Sequence, residues 1–176
     1  MSKKDDSTNK TGNPLEPQPS AKLLARIQDA EEGLLGSILG AESLPKDSAL
    51  LDNLSDLFFL TSASDFYFTE HARYFQAMQS AYESHNSLRL PLVTSALKEL
   101  KVEDPVAPKK LQELKIRFGV FEDAIAYEKL VRNNANRRKV ESILLGKINK
   151  IRGEDHVALA EFCSEIERDL SLVDVI

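Results

Sequence analysis

The chain has 176 residues, 42% of them apolar and 29% charged, with a net charge of −5. This is about one domain's worth of chain, with apolar surface enough for a true core; it holds no apolar run of membrane-spanning length, and its acidic balance argues against indiscriminate nucleic-acid binding. One cysteine, Cys163, excludes an internal disulfide and a multi-cysteine metal cage. Together with a polar N-terminus lacking a secretory apolar segment, it points to the cytoplasm.

Residues 1–20, MSKKDDSTNKTGNPLEPQPS, hold three of the seven prolines and almost no large apolar side chains, so they are expected to form a disordered tail. Beyond them the apolar residues recur at helical spacing. ARIQDAEEGLLGSILG aligns Ile27, Ala30, Leu34 and Ile38 on one stripe, widened by Leu35 and Leu39. Gly33, Gly36 and Gly40 weaken an isolated helix, and close approach of a neighbouring helix is their expected compensation. DSALLDNLSDLFFL predicts a second helix capped by Asp47 or Ser48, with Leu50, Leu54, Leu57 and Phe58 inward.

DFYFTEHARYFQAM, Asp65 to Met78, sets five aromatic side chains among an aspartate, a glutamate and a histidine. Thr69 is its expected helix cap, with Phe68 stapled onto Arg73 or Tyr74. Phe66, Tyr67 and Phe75 are expected core anchors, and His71 a buried or half-buried hydrogen-bonding group. SHNS ends this helix. Pro91 opens a short one in which Val93, Leu97 and Leu100 face inward, and KKLQELKIRF forms another, ended by Gly119. From Phe121 to Arg152 the pattern predicts a long helix, with a kink at the asparagines of NNAN. Its apolar set is Ile125, Leu130, Val131, Val140, Ile143, Leu144, Ile148 and Ile151. RGED turns the chain, and a last helix carries Leu159, Phe162, Ile166 and Leu170 inward. Cys163 falls in this helix and is read as a packed small hydrophobe. No segment alternates as a strand would. The chain therefore reads as all-α: a compact globular helical subdomain over 21–120 and a long antiparallel helical hairpin over 121–176.

Reactive constellations are absent from the pattern. LLGKIN around Gly146 lacks the upstream glycine and the hydroxyl of a phosphate-binding loop, so no nucleotide cofactor is expected. His71, His85 and His156 have no metal-ligand spacing. Glu31 with Glu32, and Asp65 with Glu70, are better explained as solvated charges near helix ends than as catalytic pairs. Between Lys129 and Arg152 stand eight basic residues against one acid, Glu141. Arg132, Arg137, Arg138, Lys139 and Lys147 contact phosphate if they share a face; the simpler reading is that they solvate the long helix or pair with acids on its partner. A two-helix hairpin cannot cover all its own apolar surface. Self-association through Val140, Ile143, Leu144, Ile148, Ile151, Phe162 and Ile166 is therefore expected, with Leu145 and Leu172 off the inner stripe.

Four segments, in order and spacing, resemble the N-terminal domain of DnaB-type replicative DNA helicases: DAEEGLLGSIL, DFYFTEHARYFQAM, VTSALKEL and AYEKLVRNNANRRKV. The family's first motif, A-E-x-x-V/L-L-G-x-L/I-L, is met by Ala30, Glu31, Leu34, Leu35 and Gly36. Its second, D-F-Y-x-x-x-H-x-x-I-F, is met by Asp65, Phe66, Tyr67, His71 and Phe75. Tyr127, Val131, Arg132 and Arg138 meet the fourth. The resemblance covers about residues 27–172. Two departures stand out: APKKLQEL replaces a glycine-containing family segment, and Pro91 replaces the acid usual before the V-T pair. The resemblance implies a domain that dimerises, builds a collar on a hexameric helicase ring, and receives primase and helicase loaders. The family's motor lies C-terminal to this domain, and these 176 residues hold no ATP-binding loop, so helicase or ATPase activity is expected only if a motor domain follows in a longer protein. Two alternatives stay open: a free-standing regulator or decoy that binds a replicative helicase, and a nucleic-acid-binding protein using the basic 129–152 helix.

Overall fold

The computed structural model describes residues 19–101, 104–153 and 159–173. Regular structure among them is entirely helical: α1 (Ala21–Gly40), α2 (Leu50–Leu60), α3 (Thr69–His85), α4 (Leu90–Glu99), α5 (Ala107–Phe118), α6 (Ala124–Gly153) and α7 (Leu159–Ser171), with 3₁₀ turns at Ala41–Ser43, Ala63–Asp65 and Phe121–Asp123. No described helix is long and apolar enough to cross a membrane. The expected tail lies outside the described residues except for its end, where Ser20 caps α1 by accepting from the Leu23 amide at 3.3 Å.

α1 is the centre of the bundle. Leu34, Leu35, Ile38 and Leu39 are fully buried, because α5 and α6 both pack on this helix and α3 approaches it as well. The glycines permit that approach. A Cβ on Gly36 would overlap the Leu114 carbonyl and lie 2.6 Å from the Phe118 Cβ, and one on Gly40 would overlap the Gly119 carbonyl. Ser37, also buried, donates from its hydroxyl to the Phe118 carbonyl at 3.1 Å, satisfying the last turn of α5.

The second layer is aromatic. Phe75 of α3 meets Phe58 of α2 with ring centroids 5.5 Å apart and Phe66 at 5.1 Å, and Tyr82 lies 5.4 Å from Phe58. Leu54, Leu57 and Phe58 are buried as the α2 pattern requires. Ser48 accepts from the Leu50 amide at 3.3 Å. α3 ends on Asn86 in the left-handed region at φ 47°, a conformation asparagine tolerates better than most residues. Leu100 departs from its expected inward place and is exposed, since α4 stops at Glu99 and the chain turns away beneath it.

α6 is one uninterrupted helix of 30 residues that runs through NNAN. Its first half is built into the body: Ala124, Glu128, Val131 and Ala135 are buried. Ile125 and Leu130 point outward instead, because the helix turns only one face to α1. Beyond Ala135 none of its side chains is buried. α7 lies against this distal half, tied by Lys147, whose ammonium is 3.0 Å from Glu165 and 2.8 Å from Asp169. Part of the expected RGED turn lies outside the described residues. Phe162 is buried, whereas Cys163 is exposed rather than packed; it follows Phe162 by one residue, and a helix turns about 100° per residue.

Candidate interaction site

The signature DFYFTEHARYFQAM is organised by a residue outside it. Glu31 of α1 is 1% exposed, not solvated as its charge suggested. Its carboxylate accepts from the Tyr67 amide, from the Phe68 amide at 3.3 Å, and from His71 Nδ1 at 2.8 Å. An ionised carboxylate only accepts, so His71 Nδ1 carries the proton in this pair. The expected cap at Thr69 does not form: Thr69 is the first helical residue, exposed, and no side chain of its own segment caps α3. Glu31 meets the amides just before the helix, and its negative charge suits the positive end of the α3 dipole.

The aromatic residues then sort by depth. Phe66 and Phe75 are core residues as expected, while Tyr67 is 38% exposed and is not a core anchor. Its backbone is held by Glu31, and its ring lies on the surface between Phe68, at 5.1 Å, and the Arg138 guanidinium, at 5.6 Å. Phe68 packs edge-on against His71 at 5.2 Å instead of stapling onto Arg73 or Tyr74. Asp65 closes a capping box, its carboxylate accepting from the Ser62 amide at 2.8 Å.

Two further carboxylates staple distant segments in the same way. Glu42 accepts from the Leu88 amide at 3.0 Å, the Ser87 hydroxyl at 3.3 Å and Arg89 Nε at 3.3 Å, holding the entry to α4. Asp104 accepts from the Val106 and Ala107 amides at 3.0 and 3.1 Å, and from the Tyr74 hydroxyl at 2.9 Å. That hydroxyl also reaches Glu70, 2.8 Å away, which pairs with Lys110. Burial first, and then the two carboxylates, push the Tyr74 phenol far above its ordinary value, so it remains a donor. Partial burial opposes ionisation of Glu70, but its bonds to Lys110 and Tyr74 hold its carboxyl below the usual range. Glu70, Tyr74 and Lys110 line a cleft of about 350 Å³ between α1, α3 and α5, in which Lys110 pairs with Glu70 and Arg117 with Glu32.

The five basic residues singled out in the sequence do not form one free patch. Arg132 pairs with buried Glu128 at 3.1 Å, Arg137 with Glu141 at 2.9 Å, and Lys139 with Asp65 at 3.9 Å. Arg138 donates to the Asp65 carbonyl at 2.7 Å, and Lys147 bridges α6 to α7. Burial draws the Arg138 guanidinium below its ordinary value, opposed by Glu31 and Asp65; guanidinium nonetheless stays charged at neutral pH.

Apolar surface is left uncovered on the distal part of α6, as it is at Phe59 of α2 and Ile116 of α5, which are 88% and 75% exposed. Leu144, Ile148 and Ile151 are 40%, 43% and 46% exposed, and they recur at spacings of four and three. Val140 and Ile143 of α6 and Ile166 of α7 are half-buried, and Phe162 of α7 is buried. Leu172 stands open at the end of α7, 79% exposed.

The chain is thus a helical bundle whose buried polar groups staple turns to helices, with an exposed heptad-spaced stripe on distal α6. The family to which it belongs is defined by its sequence: the model of the DnaB-like helicase N terminal domain matches residues 24–133, and the chain belongs to that family. The domain is the non-catalytic oligomerisation and collar module of replicative helicases. No curated protein matches the chain.

Proposed function

We propose that this chain acts in DNA replication as a collar module that self-associates through the arm formed by distal α6 and α7, and that docks a replicative helicase, its primase or its loader. The observation that carries this reading is the stripe Leu144, Ile148 and Ile151, each at least 40% exposed on the distal half of α6. Such a heptad-spaced row on a projecting arm buries well against a second copy of itself. The globular body, ending in the Val131–Ala135 part of α6, is then a rigid mount and the 136–173 arm the assembling element. In this reading the domain has no reactive role.

Light scattering tests the self-association. The chain at high micromolar concentration is expected to have at least twice its monomer mass, and Leu144→Asp with Ile148→Asp to return it to a monomer with unchanged helix content. A monomeric parent, or an unchanged mass in the double variant, refutes the role of the stripe. Capture by cognate helicase, primase and loader, each tried singly, then assigns the partner and separates a ring component from a free-standing regulator. Direct phosphate contact by the 129–152 run has less support, because Arg132, Arg137, Arg138, Lys139 and Lys147 all have partners within the chain. A DNA titration across a salt series checks this, since phosphate-dominated binding falls steeply with salt.

A further inference from the structure

Between the end of α4 and the start of α5 lies an open groove of about 920 Å³. Leu97, Pro105 and Ala107 give it apolar walls, and Leu100 and Val106, which adjoin lining residues in the chain, are 43% and 49% exposed. Its charges are not balanced. Asp104 is the acid of the lining, and its carboxylate is already committed to the Val106 and Ala107 amides and the Tyr74 hydroxyl. Lys98 and Lys101 are exposed, and neither ammonium has an ion pair or a hydrogen bond among the described residues.

Lys101 also stands at a conformational cost. It follows the last turn of α4 with φ 57°, in the left-handed region where glycine is the usual residue after a helix. Its amide closes the helix on the Lys98 carbonyl at 2.9 Å. Lys98 suits the negative end of the α4 dipole with or without a ligand. That benefit does not call for a lysine in a left-handed conformation three residues on, and a strained residue of this kind points to a use for its side chain.

We propose that the α4–α5 groove docks an acidic amphipathic segment of a partner protein, with its apolar side chains on Leu97, Pro105 and Ala107 and its carboxylates on Lys98 and Lys101. Two unpaired ammonium groups beside an apolar wall fit carboxylates interleaved with apolar side chains. A basic segment would meet like charge there, and a purely apolar one would desolvate the lysines without a counter-charge. A nucleic-acid backbone would satisfy the lysines and leave the apolar walls unused. The inference names the chemistry of a docked partner, so it builds on the docking half of the proposed function; it owes nothing to self-association through the arm.

The test is fluorescence anisotropy of the full chain with three labelled helical peptides of equal length and leucine content, whose polar face is glutamate, glutamine or lysine. The glutamate peptide is expected to bind about tenfold more tightly than the glutamine peptide, and the lysine peptide more weakly than either. Lys98→Gln with Lys101→Gly is expected to weaken the glutamate peptide about tenfold and to leave the glutamine peptide unchanged. Lys22→Gln, at an exposed lysine of α1, is expected to change neither. Lys101→Gly alone gives a readout that a merely structural lysine would not: binding of the glutamate peptide falls while the melting temperature rises by a few degrees, because glycine relieves the left-handed φ. A glutamate peptide bound no more tightly than the glutamine one, full affinity in the double lysine variant, or single-stranded DNA bound through the same lysines more tightly than the peptide, overturns the groove. So does loss of peptide binding in the Leu144→Asp, Ile148→Asp chain, which keeps both lysines. If a cognate protein is captured alike by the parent and the double lysine variant, docking stands and the groove is overturned as its seat.

Discussion

Glu31→Ala tests whether the buried carboxylate organises the signature segment. The substitution removes the acceptor shared by the Tyr67 amide, the Phe68 amide and His71 Nδ1. Leaving a buried donor unpaired costs roughly 1–3 kcal/mol, and the substitution leaves three such donors. The Phe68 bond is long, at 3.3 Å, so the loss is expected towards the lower end of their sum, about 4 kcal/mol. With a urea dependence of about 2 kcal/mol per molar, the unfolding midpoint falls by about 2 M. Glu31→Gln keeps one accepting oxygen but turns an amide donor towards the remaining donors, so it is expected to lose about half as much. Native-state hydrogen exchange adds the location: the Tyr67 and Phe68 amides should lose protection more than those of α5. A Glu31→Ala variant less than about 1 kcal/mol below the parent, or one whose exchange rises uniformly, refutes the assignment of Glu31 as the organising group.

Gly36→Ala drives a Cβ into the Leu114 carbonyl, and since backbone must move, a loss of roughly 1–3 kcal/mol is expected by thermal melting. Gly146→Ala, with open space around its Cβ, is expected instead to raise stability by up to about 1 kcal/mol. The α7 attachment should depend on pH. The Lys147 bonds hold the carboxyls of Glu165 and Asp169 below their ordinary values, and the bonds to Asp169 and then Glu165 raise the Lys147 ammonium. Depressed carboxyls contribute above their unfolded values, near 4, and lose that contribution as pH falls through the folded ones; a raised lysine contributes below about 10.5 and loses it above. Exchange protection in α7, after correction for intrinsic rates, should therefore hold between about pH 5 and 10 and fall on either side. Protection retained at about pH 3 would count against the Lys147 bridge.

The helical architecture was readable because each buried stripe repeats at helical spacing, and the glycines of α1 announced a close neighbour. Glu31 was missed although its place gave it away: Ile27, Glu31, Leu34 and Ile38 lie on one face, so only its charge suggested solvent. A pattern assigns a face, but whether a buried acid is satisfied depends on donors 36 and more residues away. Tyr67 shows the reverse case, an aromatic side chain drawn to the surface because its amide, not its ring, is the anchored part. The internal pairing of the basic run was among the readings the pattern allowed. Its particular partners were not legible, because the Asp65 carbonyl meets Arg138 across 73 residues of chain. The signal available for Glu31 was its recurrence in the family's A-E motif; for Glu42 and Asp104 we find none in the sequence alone.

The placement of the α3 cap has a kinetic consequence. A helix that carries its own capping residue can nucleate alone, in about a microsecond or less. The segment leading into α3 takes the acceptor for its Tyr67 and Phe68 amides from α1, so this entry is completed only when a loop of more than 30 residues has closed. Its folding is thereby made conditional on the central helix, and α4 waits similarly on Glu42, whereas α5 is capped locally by Asp104. The body should appear in one cooperative step, with no half-built intermediate exposing the aromatic layer before the arm is free to find its partner.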